Sequence, residues 1–491
     1  MYQVFGRYII RFFIVGFFIF QFGILHAQTY YVSSLTGDDR NNGTSPATAW
    51  ATIDAVNRWI TMLRPGSSVL FERGGIYYGS ITIPTSVRGS AGYPITFGAY
   101  GEGDMPILSG AKQITGWEQI DKDMWIANVT DRPESINALF IDGKKFYPAR
   151  FPKTGFRRVT SRYSGGLQDN RLNFPDGYWN GATVAFKVND WTIYRDEVAY
   201  SYSDGRIDKN GSNSDQIPGP NWGYFLQNHI NALDAVDEWV YDRREYTLTL
   251  CTDKNPNEQL VEYMYIGNGV RINSSNTNCY IHIENLCFQY YRNYAIYAGN
   301  IGRNLEIRHN AIINCWSAIN VTGLEDCLIS ENIITDMESV GVNLLNISNS
   351  SIKNNNIRRV ATSLDGGQNG WCGGGIALRV HRNSTHCEIT GNRLDSIGYN
   401  GFSLFYAHDL LIKNNVINYS MLSFTDGGGI YFDYELNDPT DLKNTEVIDN
   451  IILNTVYGIS AVIDTPNRVI IIMLLSIIVL NIKLIVSRKN K

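Results

Sequence analysis

Ile307-Arg-His-Asn310-Ala-Ile312 opens a series that continues as Ile329-Ser-Glu-Asn332-Ile-Ile334, Ile352-Lys-Asn-Asn355-Asn-Ile357, Ile389-Thr-Gly-Asn392-Arg-Leu394, Ile412-Lys-Asn-Asn415-Val-Ile417 and Val447-Ile-Asp-Asn450-Ile-Ile452. Each copy is an aliphatic residue, two polar ones, Asn, any residue and a second aliphatic. The asparagines stand 22, 23, 37, 23 and 35 residues apart, which is one coil length with two insertions of about a dozen residues. A second mark follows each Asn: Gly341-Val-Asn-Leu, Gly375-Ile-Ala-Leu, Gly401-Phe-Ser-Leu, Gly429-Ile-Tyr-Phe and Gly458-Ile-Ser-Ala. These are short alternating strands opened by Gly.

Repeats of this length that carry β-branched strands between Gly and Asn turns predict a solenoid of stacked strands. A leucine-rich horseshoe would need its own leucine signature and helical segments, and neither is present. The predicted fold is all-β, a right-handed single-stranded parallel β-helix. Asn is expected to take the left-handed backbone of a sharp corner and to hydrogen-bond from coil to coil.

Outward from the repeat, Thr52 to Leu63 carries apolar residues at 53, 56, 59, 60 and 63, an amphipathic helix suited to capping the open end of the solenoid. Between Leu139 and Tyr265 the coil period vanishes and aromatics accumulate, which predicts an inserted β-rich domain. The expected division is a signal peptide over 1–27, cap and first coils over 28–138, the insertion over 139–265, the main β-helix over 266–465 and a hydrophobic tail over 466–491.

The start, with Arg7 and Arg11 before the apolar run Phe12 to Leu25 and a small residue at Ala27, has the form of a secretory signal. A secreted, periplasmic or cell-surface location follows as an expectation. Seven cysteines, an odd number without a CxxC pair, are read mainly as small buried hydrophobes, with a Cys372–Cys387 bridge as the one alternative. Val469 to Val486 is aliphatic but interrupted by Asn481 and Lys483; it reads either as a membrane anchor or as the product of a frameshift that truncates the last coils. The net charge of −5 and the lack of a basic tract argue against nucleic acid.

Tyr30-Tyr-Val-Ser, Gly-Asp-Asp, Asn-Gly-Thr-Ser-Pro and Ala-Trp-Ala-Thr-Ile near the start, Leu-Phe-Ile-Asp-Gly-Lys and Pro-Ala-Arg-Phe-Pro in the middle, and the repeats themselves resemble exported bacterial proteins of the pectate-lyase-like β-helix superfamily. The resemblance covers about residues 29 to 465. It implies a polysaccharide partner and, by way of the superfamily's members, a polysaccharide lyase, a glycoside hydrolase, an epimerase or a non-catalytic binder.

The two insertions are where chemistry is expected. One carries Asp365 and ends in Trp371-Cys-Gly-Gly-Gly375; the other carries Asp426-Gly-Gly-Gly429. With each Gly as origin, Arg379, Phe405 and Asp433 are predicted to stack outward, followed by His381, Ala407 and Glu435; two coils would separate Arg379 from Asp433 by roughly 10 Å. The candidate catalytic set is Asp426, Asp433, Asp365, Glu435, Arg379 and His381, with Tyr431, Phe405 and Trp371 as sugar-stacking groups. The superfamily's Asp-Gly-Gly-Gly-Ile-Tyr segment falls on Asp426 to Tyr431 and implies a location without a role.

Several carboxylates and a single well-placed Arg favour hydrolysis, which needs a proton donor and a second carboxylate, over β-elimination, which needs a base and a neutralised uronate. No metal ligand set is apparent. A hydrolase needs no cofactor, and a lyase would neutralise the uronate either with Ca²⁺ on carboxylates or with an Arg, for which Arg379 and His381 beside Asp433 are suited. Asp before Gly is also a common turn pair, so Asp365 and Asp426 have a purely structural reading. The competing function is non-catalytic glycan binding, or a truncated inactive protein. A monomer is expected, with a membrane involved only through the tail.

Overall fold

The computed structural model describes residues 27–211, 215–273, 278–299, 302–365, 374–433 and 444–455, with the backbone of strands Ile459–Thr465, Arg468–Ile471, Ile478–Leu480 and Leu484–Ile485. The segment 1–26 and residues 371 and 372 lie outside the described residues, so the signal and the cysteine bridge fall there in whole or in part.

The chain winds as a parallel β-helix with three faces, each a stack of in-register strands. The first face runs from Thr29–Val32 through Asn278–Glu284 and Ser351–Lys353 to Glu446–Ile448, the second from Ile76–Tyr78 through Ala311–Ile313 to Asn450–Leu453, and the third from Ile81–Ile83 through Val340–Ser348 and Ile376–Thr385 to Ile430–Asp433. Alternation sends every second side chain inward. Val270, Ile296, Ile319, Val342, Leu378, Phe402 and Ile430 form one continuous buried row. A neighbouring row runs Ile272, Ala298, Val321, Leu344, Val380, Leu404 and Phe432. Each large aliphatic in such a row contributes about 1.5–3 kcal/mol by leaving water, and this uninterrupted burial drives stacking.

The repeat asparagines sit between the first and second faces and point into the core. Asn310, Asn332, Asn355, Asn392, Asn415 and Asn450 are all buried. Each Nδ2 donates to the Oδ1 of the next, at 3.1, 2.9, 3.0, 3.0 and 2.9 Å. The same oxygen accepts the backbone N–H of the preceding Asn, and each Nδ2 also reaches a carbonyl of the coil before, such as Ile329 O at 2.9 Å from Asn355.

The left-handed corner belongs instead to the residue before each Asn: His309, Glu331, Asn354, Gly391, Asn414 and Asp449, at φ 55, 56, 56, 67, 56 and 53°. This corrects the expectation that Asn itself turns the chain. An amide in the core with every hydrogen-bonding position filled is the stronger reason for Asn at the repeat.

The cap helix is present but short. Ile53–Trp59 is α-helical, begun by Thr52 Oγ1 accepting Ala55 N at 3.2 Å, and Ile60–Met62 tightens into a 3₁₀ turn. Asn57 fastens it to the first coil, donating to Ser80 O at 2.8 Å and accepting from Thr82 N at 3.0 Å.

The excursion from the coil starts earlier than the aromatic enrichment. Gly110 O accepts both Tyr265 N and Ile266 N, at 3.0 and 2.9 Å, so the chain leaves and returns at one atom. Between these points lie two four-stranded antiparallel sheets, which include Ala111–Gln113 with Val261–Met264 and Met124–Asn128 with Thr247–Cys251, and an eight-stranded antiparallel sheet over 150–227. The aromatics expected from position 139 mark mainly the large sheet, whose core holds Trp179, Tyr224 and Phe186. The strands at 118–128 have ordinary composition and gave no compositional signal.

Six cysteines, Cys251, Cys279, Cys287, Cys315, Cys327 and Cys387, are buried free thiols, as expected of small hydrophobes. Of the tail, Arg468–Ile471, Ile478–Leu480 and Leu484–Ile485 run antiparallel to strands of the last coil. The remaining tail residues, on which the anchor and frameshift readings turn, lie outside the described residues. Among the described residues no helix is long and apolar enough to cross a membrane.

Candidate functional site

Four successive turns join the second face to the third, at Glu338–Ser339, 361–375, 398–401 and 419–429; the second holds one insertion and the fourth part of the other, whose remainder follows Asp433. The eight-stranded sheet docks on this ridge. Ala185, Ile193 and Phe225 pack with Ile376, Tyr399 and Phe424, flanked by Phe156, Trp191 and Leu364. Tyr399 and Phe424 meet edge to face at 5.6 Å. The inserted domain therefore forms one wall above the third face.

Its polar ties divide the acidic groups on the ridge. Glu338, only 2% exposed, lies 2.5 Å from Lys145 Nζ, with the Tyr147 hydroxyl at 3.4 Å. Asp365 pairs with Arg150, accepts from Ser363 Oγ at 3.0 Å, and gives its carbonyl to Gln227 Nε2 at 3.2 Å. Arg195 donates to Leu364 O nearby. Burial pulls the Arg195 guanidinium down to about 10 against the pull of Asp365 and Glu338, so it stays charged at neutral pH.

Asp426 meets the opposite situation. Its loop is clamped by the inserted domain, Thr425 N donating to Asp190 O at 3.2 Å and Lys187 Nζ to Ser423 O at 3.0 Å. The Asp426 carboxyl still reaches solvent, yet loss of hydration and then the charge of Asp190 push it above the ordinary carboxylate value. Beneath the loop, Gly428 N donates to Oδ1 of buried Asn400 at 2.9 Å. Asn400 Nδ2 and Ser403 Oγ are buried atoms without a hydrogen-bond partner among the described residues.

On the third face the register differs from the Gly-based expectation. Ala377, not Gly375, is the counterpart of Gly401 and Gly429, because Gly375 closes the insertion at φ +81°. The outward rows are therefore Arg379, Ser403, Tyr431 and His381, Phe405, with the backbone of Asp433 in register with Phe405. A two-residue shift keeps each side chain on its predicted face but moves it along the strand. Arg379 does not stack on Asp433, and Ala407, expected beside His381, is buried and pairs with Ser384.

Upstream coils extend the Arg379 row through Asn343 and Asn320. His381 Nε2 lies 3.2 Å from Asn343 Oδ1, Asn343 Nδ2 donates to Asn320 Oδ1 at 2.7 Å, and Asn320 Nδ2 reaches Thr322 Oγ1 at 3.4 Å. Because the amide oxygen can only accept, His381 Nε2 carries the proton and Nδ1 is left as an acceptor. Burial, then the charges of Arg379 and Arg382, depress the imidazole to about 3. Phe405 and Tyr431 meet edge to face at 6.1 Å, with Tyr431 buried and Phe405 partly open.

Of the expected site residues, the structure gathers Asp426, Arg379, His381, Phe405, Tyr431 and the backbone of Asp433 on one stretch of the third face and its ridge, while Asp365 faces the inserted domain. Trp371, Glu435 and the side chain of Asp433 lie outside the described residues. Among the described residues no cluster of three or more His, Cys, Asp or Glu is arranged to hold a metal. Sequence reasoning missed Glu338, Lys145, Arg150, Arg195 and Asp190. Arg150 lies in the Pro-Ala-Arg-Phe-Pro segment that carried part of the resemblance, whereas Asp190 has no local signature.

No family model matches the chain. A 94-residue stretch is 42% identical to a lacto-N-biosidase of Bifidobacterium longum subsp. longum; it amounts to 18% of this chain and 6% of that protein's length. Among solved structures, one described as a glycoside hydrolase shares the fold over 88% of both chains, with a TM-score of 0.68 and 15% identity. A second, the complex of XylC with xylose, matches 88% of this chain and 67% of that one, with a TM-score of 0.53 and 13% identity.

Proposed function

We propose that this chain is an exported enzyme that hydrolyses glycosidic bonds of a polysaccharide laid along the third face, with Asp426 as proton donor and Asp433 as the second carboxylate. The observation that carries this reading is the treatment of Asp426. The ridge acids Glu338 and Asp365 are matched by cations of the inserted domain, whereas Asp426 is set against Asp190. A carboxyl whose proton is held more tightly, through lost hydration and a like charge, is the kind of group that leaving-group protonation requires.

Asp433 follows seven residues later on an adjoining strand, in line with Phe405 and His381. In this scheme Asp426 gives its proton to the glycosidic oxygen as the C–O bond breaks, and Asp433 acts as nucleophile or as base toward water. Phe405 offers an apolar surface to a sugar ring, and Arg379, Asn343 and His381 orient hydroxyls. Ser403 Oγ and Asn400 Nδ2, buried and without a partner among the described residues, belong to the same stretch. Asp365, already paired with Arg150, acts as a tie between domains. The glycosidase fold of the first structural neighbour and the lacto-N-biosidase segment agree with a sugar substrate, and the N-terminal segment with export.

The test is incubation of the mature protein with neutral and uronate-containing polysaccharides. New reducing ends without ultraviolet absorbance support hydrolysis, while an absorbing unsaturated product would replace it with elimination. Sugar binding without either product would favour the non-catalytic reading. Full activity in both Asp426→Asn and Asp433→Asn would sink the assignment of the acids.

A further inference from the structure

The inserted domain holds a cavity of about 490 Å³ whose walls include Arg162, Tyr163, Val188, Asp215 and Gln216. That volume falls within the range of small-molecule sites. The Tyr163 hydroxyl donates to Asp208 Oδ1 at 2.7 Å, and Tyr202 donates to the other oxygen at 2.9 Å. The tyrosine is thus tethered by its polar end, leaving its ring as the surface available to a ligand. Arg162 makes no ion pair among the described residues, and Asp215 accepts from Gln216 Nε2 at 3.2 Å. The walls therefore combine residues that bear a guanidinium, a carboxylate and an amide with an aromatic ring tethered at its hydroxyl.

We propose that this cavity is a second glycan site that takes a neutral sugar unit. Vicinal hydroxyls both donate and accept, so they satisfy Arg162, Asp215 and Gln216 together, while the C–H face of the ring lies on Tyr163. A uronate or phosphate would meet the Asp215 charge. Val188 ties the cavity to the cleft, because it belongs to the segment whose Lys187 and Asp190 clamp Ser423 and Thr425. Val188 and Asp190 are two residues apart in the bend that follows strand Thr183–Lys187, at most roughly 7 Å along the chain, so a glycan held at Asp426 can run onto the inserted domain. The assignment of a sugar ligand rests on the function proposed above.

The experiment is affinity electrophoresis of the full chain carrying Asp426→Asn, in gels containing arabinoxylan, galactomannan or mixed-linkage β-glucan as neutral probes and alginate as the acidic one. Retardation is expected by at least one neutral polymer and not by alginate. Adding Arg162→Ala or Tyr163→Ala should weaken it about tenfold, whereas Tyr163→Phe, which keeps the ring, should lose less. Unchanged thermal melts establish that the variants are folded. Retardation by alginate alone, by none of the four polymers, or undiminished in both alanine variants would overturn the site. Binding is measured without turnover, so failure of the hydrolytic assignment shows separately, as activity that survives Asp426→Asn.

Discussion

Asp190 of the inserted sheet and Asp426 of the coil are set against each other as like charges, held there by the hydrogen bond from Thr425 N to Asp190 O. The inserted domain thereby acts on the acidity of a group it does not contain. Removing the like charge in Asp190→Asn lowers the Asp426 value, so the alkaline limb of the rate profile, where the donor loses its proton, moves to lower pH. For folding, a raised carboxyl favours the native state most at low pH and loses that contribution as pH rises through the native value. Asp190→Asn should flatten this dependence. Parallel pH–rate and pH–melting series check both; an unmoved alkaline limb would count against Asp426 as donor.

Asp365 and Asp426 should respond differently to the same change. Asp426→Asn is expected to lower kcat by about 10²–10⁴ with little change in melting temperature. Asp365→Asn strands Arg150 and is expected to cost about 1.5–3 kcal/mol of stability through its charged hydrogen bonds, with residual activity in the folded fraction. Denaturant unfolding beside steady-state kinetics separates the two.

At the corner, Asn355→Ala removes the acceptor for Asn332 and the donor to Ile329 O. Leaving such buried groups unpaired costs about 1–3 kcal/mol each, so this variant should be among the least stable single substitutions in the coil. Its neighbour Asn354 is left-handed at φ 56°. Asn354→Gly should be close to neutral and Asn354→Val should cost about 1–2 kcal/mol. Chemical denaturation distinguishes the two positions.

His381 should remain neutral, protonated at Nε2, throughout pH 5 to 8, which nitrogen-15 shifts of the imidazole can follow. Because its native value lies near 3, below that of an unfolded histidine, its linkage term is absent above the unfolded value. Stability falls as pH drops through the interval toward 3, where only the unfolded chain takes the proton. An imidazole that titrates near its usual value would refute the assigned environment.

The repeat made the coil legible because burying one aliphatic row per face demands a strict period. It left the corner ambiguous, since Asn354-Asn355 and Asn414-Asn415 offer two candidates and only the core shows which one turns. The register error had a local cause: Gly373 to Gly375 resembles a strand opening, but the corresponding position in the stack is Ala377. The location of Asp426 was legible from its insertion. Its difference from Asp365 was not, because Asp190 and Arg150 come from a domain whose docking leaves no periodic trace.

Gly110, where the excursion departs, accepts at its carbonyl the two successive amides, Tyr265 N and Ile266 N, at which the chain returns. A joint closed on one atom makes the excursion a cassette: the rung below and the rung above meet across it whatever it contains. Substrate range can then diverge by replacing the cassette while the asparagine ladder and the rungs stay as they are. In this architecture Asp426 belongs to the coil, and the like charge that raises it, Asp190, arrives with the insert.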